Sequence, residues 1–88
     1  MNLFKIKILE NICYTELVYG RINKKLKTNF TKSEIEEMIF AVLEKTDVKY
    51  YPKIGKNFYV SNTEHNIKIT VNSNTYRIIT VDRINKKL

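Results

Sequence analysis

A single histidine, His65, and a scatter of lysines, arginines and tyrosines carry whatever chemistry this sequence can do. An imidazole can give or take a proton near neutral pH. Arg77 and Lys68 can stabilise charge that develops on a phosphate, with Tyr59 or Tyr76 assisting. A metal-free ribonuclease needs such parts: a base for the 2′-hydroxyl, an acid for the leaving oxygen and cations for the phosphate. His65 and Arg77 are the candidate catalytic pair, and Glu64 could orient the ring. The same residue types also serve binding without chemistry. Lys53, Lys56, Tyr59, Lys68, Tyr76, Arg77 and Arg83 interleave cations with rings. On an open sheet, cations track phosphates and rings stack on bases. A merely solvated sheet face, with lysine stems laid over apolar neighbours, has the same composition.

Other chemistries lack their parts. Cys13 is the only cysteine, so no internal disulfide can form, and it reads as a small buried apolar residue. One histidine and one thiol in different segments make no metal-ligand spacing, and no cofactor is expected. Gly20 and Gly55 are isolated, so there is no glycine-rich phosphate loop.

The elements that must position these residues follow from periodicity. Thr31 and Glu34 have the capping-box spacing, with Phe30 and Ile35 spaced as a hydrophobic staple. Ile35, Met38, Ile39, Val42 and Leu43 then form one helical stripe, which predicts a helix ending near Thr46. An earlier stripe of Leu9, Ile12, Cys13, Leu17 and Val18, extended by Ile22 and Leu26, predicts a first helix that could bend at Gly20. Residues 2–8, which alternate apolar and basic from Phe4 on, fit either a strand or a helical turn. The short link at residues 27–30 makes the two helices antiparallel neighbours.

After Pro52 the period becomes two. Strands are expected around Phe58–Val60, Ile67–Val71 and Tyr76–Val81, forming a three-stranded meander. A two-residue loop at Ser73-Asn74 would place Val71 opposite Tyr76, Ile69 opposite Ile78 and Ile67 opposite Thr80 on the apolar face. Thr70 opposite Arg77 and Lys68 opposite Ile79 would then share the other face with Asn57 and Tyr59. The expected fold class is α+β: two antiparallel helices followed by a three-stranded antiparallel sheet, with the helices in one layer on one face. Two helices followed by such a sheet resemble the layout of barnase-like and RelE-like ribonucleases.

Composition bounds the partners. The chain of 88 residues has 43% hydrophobic and 28% charged residues, an ordinary globular balance that suits a single domain over residues 1–88. Its net charge of +7 favours acidic partners. Residues 1–27 hold six bases against two acids, residues 28–49 three against five, and residues 50–88 seven against two. The hexapeptide Arg21-Ile22-Asn23-Lys24-Lys25-Leu26 recurs at residues 83–88, giving two basic tracts that contain Lys24, Lys25, Lys86 and Lys87. Lys5 and Lys7 interrupt the apolar start, so it does not read as a signal peptide, and no stretch has a membrane span's length. The expected compartment is the cytoplasm.

The runs Glu10 to Tyr19, Arg21 to Leu26, Gly55 to Val60, Asn66-Ile67, Ile69 to Arg77 and Ile79 to Arg83 resemble a family of short bacterial proteins known only as a domain of unknown function. The resemblance spans the chain from about residue 9 onward. It implies a shared fold and one intact domain, and it implies no activity, cofactor or site.

These features lead to a small cytoplasmic protein that engages nucleic acid, RNA before DNA, or a nucleoprotein, through a sheet face and basic tracts. Two alternatives stand beside it. One is the metal-free ribonuclease; the other is a non-enzymatic inhibitor or adaptor that binds protein, from a phage or mobile-element system. The acidic outer residues Glu36, Glu37 and Glu44 suit the last.

Overall fold

The computed structural model describes residues 3–84. Three helices come first: α1 (Leu3–Asn11), α2 (Glu16–Leu26) and α3 (Lys32–Lys45). A 3-10 turn at Val48–Tyr50 leads to four strands: β1 (Lys53–Ile54), β2 (Asn57–Asn62), β3 (Ile67–Asn72) and β4 (Ile78–Arg83). All neighbouring strands are antiparallel, in the order β1-β2-β3-β4. The α+β class is as expected, with one more helix and one more strand.

The best-signalled helix forms for the expected reasons. The Thr31 hydroxyl accepts the Glu34 N–H at 3.1 Å, and the Glu34 carboxylate accepts the Thr31 N–H at 2.8 Å. Ile35, Ile39, Val42 and Leu43 are buried along one face of α3. At its far end, Lys5 on α1 donates to the carbonyls of Glu44 and Thr46, each at 2.7 Å, placing a cation at the negative end of the helix.

The first stripe is two helices, and the break falls at residues 12–15 instead of Gly20. The cause is tertiary. Cys13 N–H donates to the Tyr76 carbonyl at 3.0 Å, and Ile78 N–H donates to the Cys13 carbonyl at 2.9 Å. The backbone leaves the helix to bridge the edge of β4, and Cys13 is exposed there instead of buried. Leu17 likewise turns outward, while Val18, Ile22 and Leu26 point into the core. Residues 3–8 are helical, so their alternation does not make a strand.

The additional strand, β1, is two residues long and joins β2 through Gly55-Lys56. Gly55 has φ 63°, as a two-residue hairpin turn with glycine first requires. Pro52 lacks an N–H, so it accepts from Tyr59 at 2.9 Å but cannot donate back, which suits a short edge strand.

The register of β4 differs from the expected one. Residues 73–77 link β3 to β4, and Asn72 N–H, donating to the Arg77 carbonyl at 2.9 Å, closes a four-residue loop, 73–76, within them. The Asn72 side chain accepts from the N–H groups of Asn74 and Thr75, and Tyr76 takes the left-handed conformation at φ 60°. Val71 therefore pairs with Ile78. A bulge follows at Ile79, so Thr70 pairs with Thr80, Ile69 with Val81, Lys68 with Asp82 and Ile67 with Arg83. If Ile79 paired with Thr70 in a regular ladder, Thr80 and Asp82 would fall opposite Ile69 and Ile67 and point inward; skipping Ile79 restores Val81 to the core.

Phe58, Val60, Ile67, Ile69, Val71, Ile78 and Val81 make the covered face of the sheet. They join Ile8, Val18, Ile22, Leu26 and the buried face of α3 in one cluster. Burial of such side chains contributes about 1.5–3 kcal/mol each. Phe4 closes the β1 side, its ring stacked on Phe58 at 5.4 Å between centroids.

Candidate nucleic-acid interface

The opposite face of the sheet is polar, and its rows follow from the register. Asn57 pairs with Asn72, Tyr59 with Thr70, and Ser61 with Lys68. Thr80 and Asp82 continue the second and third rows. Arg77 adjoins Asn72 at the end of the first. The centre of the face is the Tyr59 ring, with Lys68 Nζ 5.9 Å from its centroid and Asn57 Nδ2 3.3 Å from its hydroxyl. Those bonds hold the ring beside a small floor of Thr70 and Thr80. A ring held next to a cation offers one stacking surface and one phosphate contact together.

A basic ridge borders this face along β4. Val18, Ile22 and Leu26 anchor α2 in the core, which turns the neighbouring positions 21, 24 and 25 outward on one flank. Arg21, Lys24 and Lys25, with Thr80, line a groove of about 740 Å³. Lys25 Nζ lies 2.6 Å from Asp82 Oδ1, so this lysine is tied to the sheet and its charge is offset. Among the described residues, Arg21, Lys24, Lys68 and Arg77 form no ion pair.

The expected site residues are thus partly gathered. Tyr59, Lys68 and Arg77 share the open face, and Lys24 and Lys25 border it. Lys56 sits in the β1–β2 turn, beside the β3–β4 loop, where its carbonyl accepts the Ser73 N–H at 2.7 Å. Lys53 pairs with Phe58 and so lies in the register of the covered face, at its exposed edge. Tyr76 is half-buried against the core instead of sharing the open face. Arg83 pairs with Ile67 on the covered side, and its guanidinium donates to the Leu26 carbonyl at 2.9 Å. Lys86 and Lys87 lie outside the described residues.

His65 is elsewhere. It occupies the β2–β3 turn, where its N–H and Nδ1 lie 2.8 and 3.1 Å from Asn62 Oδ1. It lines a crevice of about 190 Å³ with Arg83, Leu26, Phe30, Met38 and Ile67. Arg77 lies at the other end of β3, roughly 17 Å or more away at about 3.4 Å per residue. The structure does not bring the candidate catalytic pair together. Among the described residues, no three His, Cys, Asp or Glu side chains cluster in a way that could hold a metal. No helix is long and apolar enough to cross a membrane.

Arg21 was not among the expected site residues. Its signal lay in the hexapeptide: on a helix, positions 21, 24 and 25 share a flank. The perturbed side chains lie on the helix side of the molecule. Tyr19 is pushed up to about 12, first by its hydrogen bond to Glu36 at 2.7 Å. Burial raises Tyr14, with Glu36 adding to it, and burial alone raises Tyr51.

Three helices against one face of a four-stranded antiparallel sheet, with the other face open and polar, define a small α+β protein with a charged sheet surface. The chain belongs to the family described as "Protein of unknown function (DUF3781)", which it matches over residues 6–82. No curated protein matches it, and no solved structure does.

Proposed function

We propose that the protein binds single-stranded nucleic acid, RNA before DNA, in the cytoplasm, across the open face of its sheet. The observation that carries this reading is the placement of Tyr59 beside Lys68 on a floor of small polar residues, with Arg77 at one end and the Arg21–Lys24 ridge along one border. A flat sheet with one accessible ring suits unstacked bases better than a duplex, whose bases are already stacked. The acidic residues Glu36, Glu37 and Glu44 lie on α3, whose core face packs on the covered side, so repulsion of phosphates is kept off the sheet.

No observation favours the ribonuclease reading, because His65 lies with Arg83 and apart from Arg77. Titrating a labelled single-stranded RNA across a salt series tests the binding. Affinity that falls steeply with salt and weakens in Tyr59→Ala supports it; no binding at low salt, or affinity indifferent to salt, overturns it.

A further inference from the structure

Gly20 lies in the middle of α2, on its exposed side. A Cβ there would meet nothing within 4 Å, and the helix would be more stable with alanine. The fold of one chain therefore supplies no reason for a glycine. One turn earlier, Leu17 is 80% exposed. Arg21 and Lys24 continue the same stripe. The result is a notch with an apolar residue on one side and two cations on the other.

The outer side of α3 has the complementary form. Ser33, Glu36, Glu37, Phe40, Ala41 and Glu44 line a shallow groove of about 390 Å³. Phe40, at its middle, is 42% exposed. Carboxylates stand one turn away from it in both directions.

We propose that these two stripes are the halves of one contact between copies of this chain. Phe40 of one copy seats in the Gly20 notch of a second, against Leu17, and carboxylates of α3 face Arg21 and Lys24. If the helices run parallel, Glu44 meets Lys24; if they run antiparallel, Glu36 and Glu37 fall opposite Lys24 and Arg21. A second copy is the occupant because both halves are present in one molecule, with opposite charge and an exposed apolar residue in each. The contact joins unlike surfaces, so it propagates head to tail instead of closing as a two-fold dimer. It requires no nucleic acid and does not depend on the proposed function.

The test is the average mass of nucleic-acid-free protein in sedimentation equilibrium, from micromolar to millimolar concentration. The wild type should rise above the 10.5 kDa of one chain. Gly20→Gln and Phe40→Ser should each remain at one chain when alone. Mixed in equal amounts, they should form a complex of two chains and no more, since each retains the half the other lacks. Gly20→Gln replaces glycine with a better helix former, so its melting temperature should equal or exceed that of the wild type, separating lost association from lost folding. Wild type that stays at the mass of one chain overturns the proposal. So does association that survives in either variant, or a mixture that remains monomeric.

Discussion

Removing both sheet-face cations, Lys68→Ala with Arg77→Ala, should reduce RNA binding and flatten its salt dependence by a calculable amount. Arg21, Lys24, Lys68 and Arg77 are the cations of the open side without an ion-pair partner among the described residues, whereas Lys25 is held by Asp82. Each phosphate contact to a single strand contributes about 0.7 to the slope of log K against log salt, so four contacts give about −2.8. Affinity should then fall about 50-fold between roughly 50 and 200 mM salt. The double variant keeps two contacts, a slope of about −1.4 and a fall of about sevenfold over the same range. Fluorescence anisotropy of a labelled single strand measures both. The control is Lys45→Ala with Lys49→Ala, which removes the same charge from the end of α3 and the turn after it. If the control flattens the slope as much as the face variant does, binding follows net charge alone and the assignment of the face is refuted.

Three further outcomes follow from named contacts. Asp82→Asn should release Lys25 to a phosphate, tightening binding roughly fivefold at about 0.1 M salt and steepening the slope by about 0.7; unchanged affinity would show that Lys25 does not reach the strand. Thr31→Ala removes the hydroxyl half of the capping box and should cost about 1 kcal/mol, read as a lower denaturation midpoint with an unchanged denaturant slope. Tyr14, Tyr19 and Tyr51 all hold their protons more tightly when folded, so the stability they contribute is complete below pH 10 and is lost as pH rises from about 10 through the folded value, about 12 for Tyr19. Melting curves should therefore fall above pH 10, together with the rise in tyrosinate absorbance, and a stability that stays flat to pH 12 would contradict it.

The sequence was legible where local rules agreed with each other, and not where a distant contact overrode them. Helix α3 could be read from residues 31–46 because its cap, its acidic first turn and its apolar stripe all lie within the segment. The break between α1 and α2 could not, because Cys13 leaves the helix to pair with Tyr76 and Ile78, more than sixty residues on. Strand alternation placed Tyr59 and Lys68 on one face correctly because β2 and β3 pair without interruption. Beyond the β3–β4 loop it failed: Val71 pairs with Ile78 instead of Tyr76, and Thr80 leaves the apolar face to pair with Thr70. A tyrosine in the left-handed conformation has no sequence signal of the kind glycine supplies. The ridge of Arg21 and Lys24 was visible as a basic tract, but its place beside the sheet depends on how α2 docks on β4.

The bulge at Ile79 decides which residues of β4 belong to the open face, and deletions test that role directly. Deleting one residue inside a regular strand reverses every side chain beyond it and sends core positions to solvent. Deleting Thr70 from β3 should do this, since Ile69 and Val71 would become neighbours and could not both face the core. Ile79 is different, because it is the residue that the pairing omits. Without it, Ile78 still pairs with Val71, Thr80 with Thr70 and Val81 with Ile69, so both faces keep their composition. The Ile79 deletion should therefore fold, keep the Lys25–Asp82 pair and bind RNA with a slope close to the wild-type value. The Thr70 deletion should lose cooperative unfolding. If both deletions unfold alike, the four-residue loop does not set the register independently of the bulge, and the assignment of Thr80 and Asp82 to the open face fails with it.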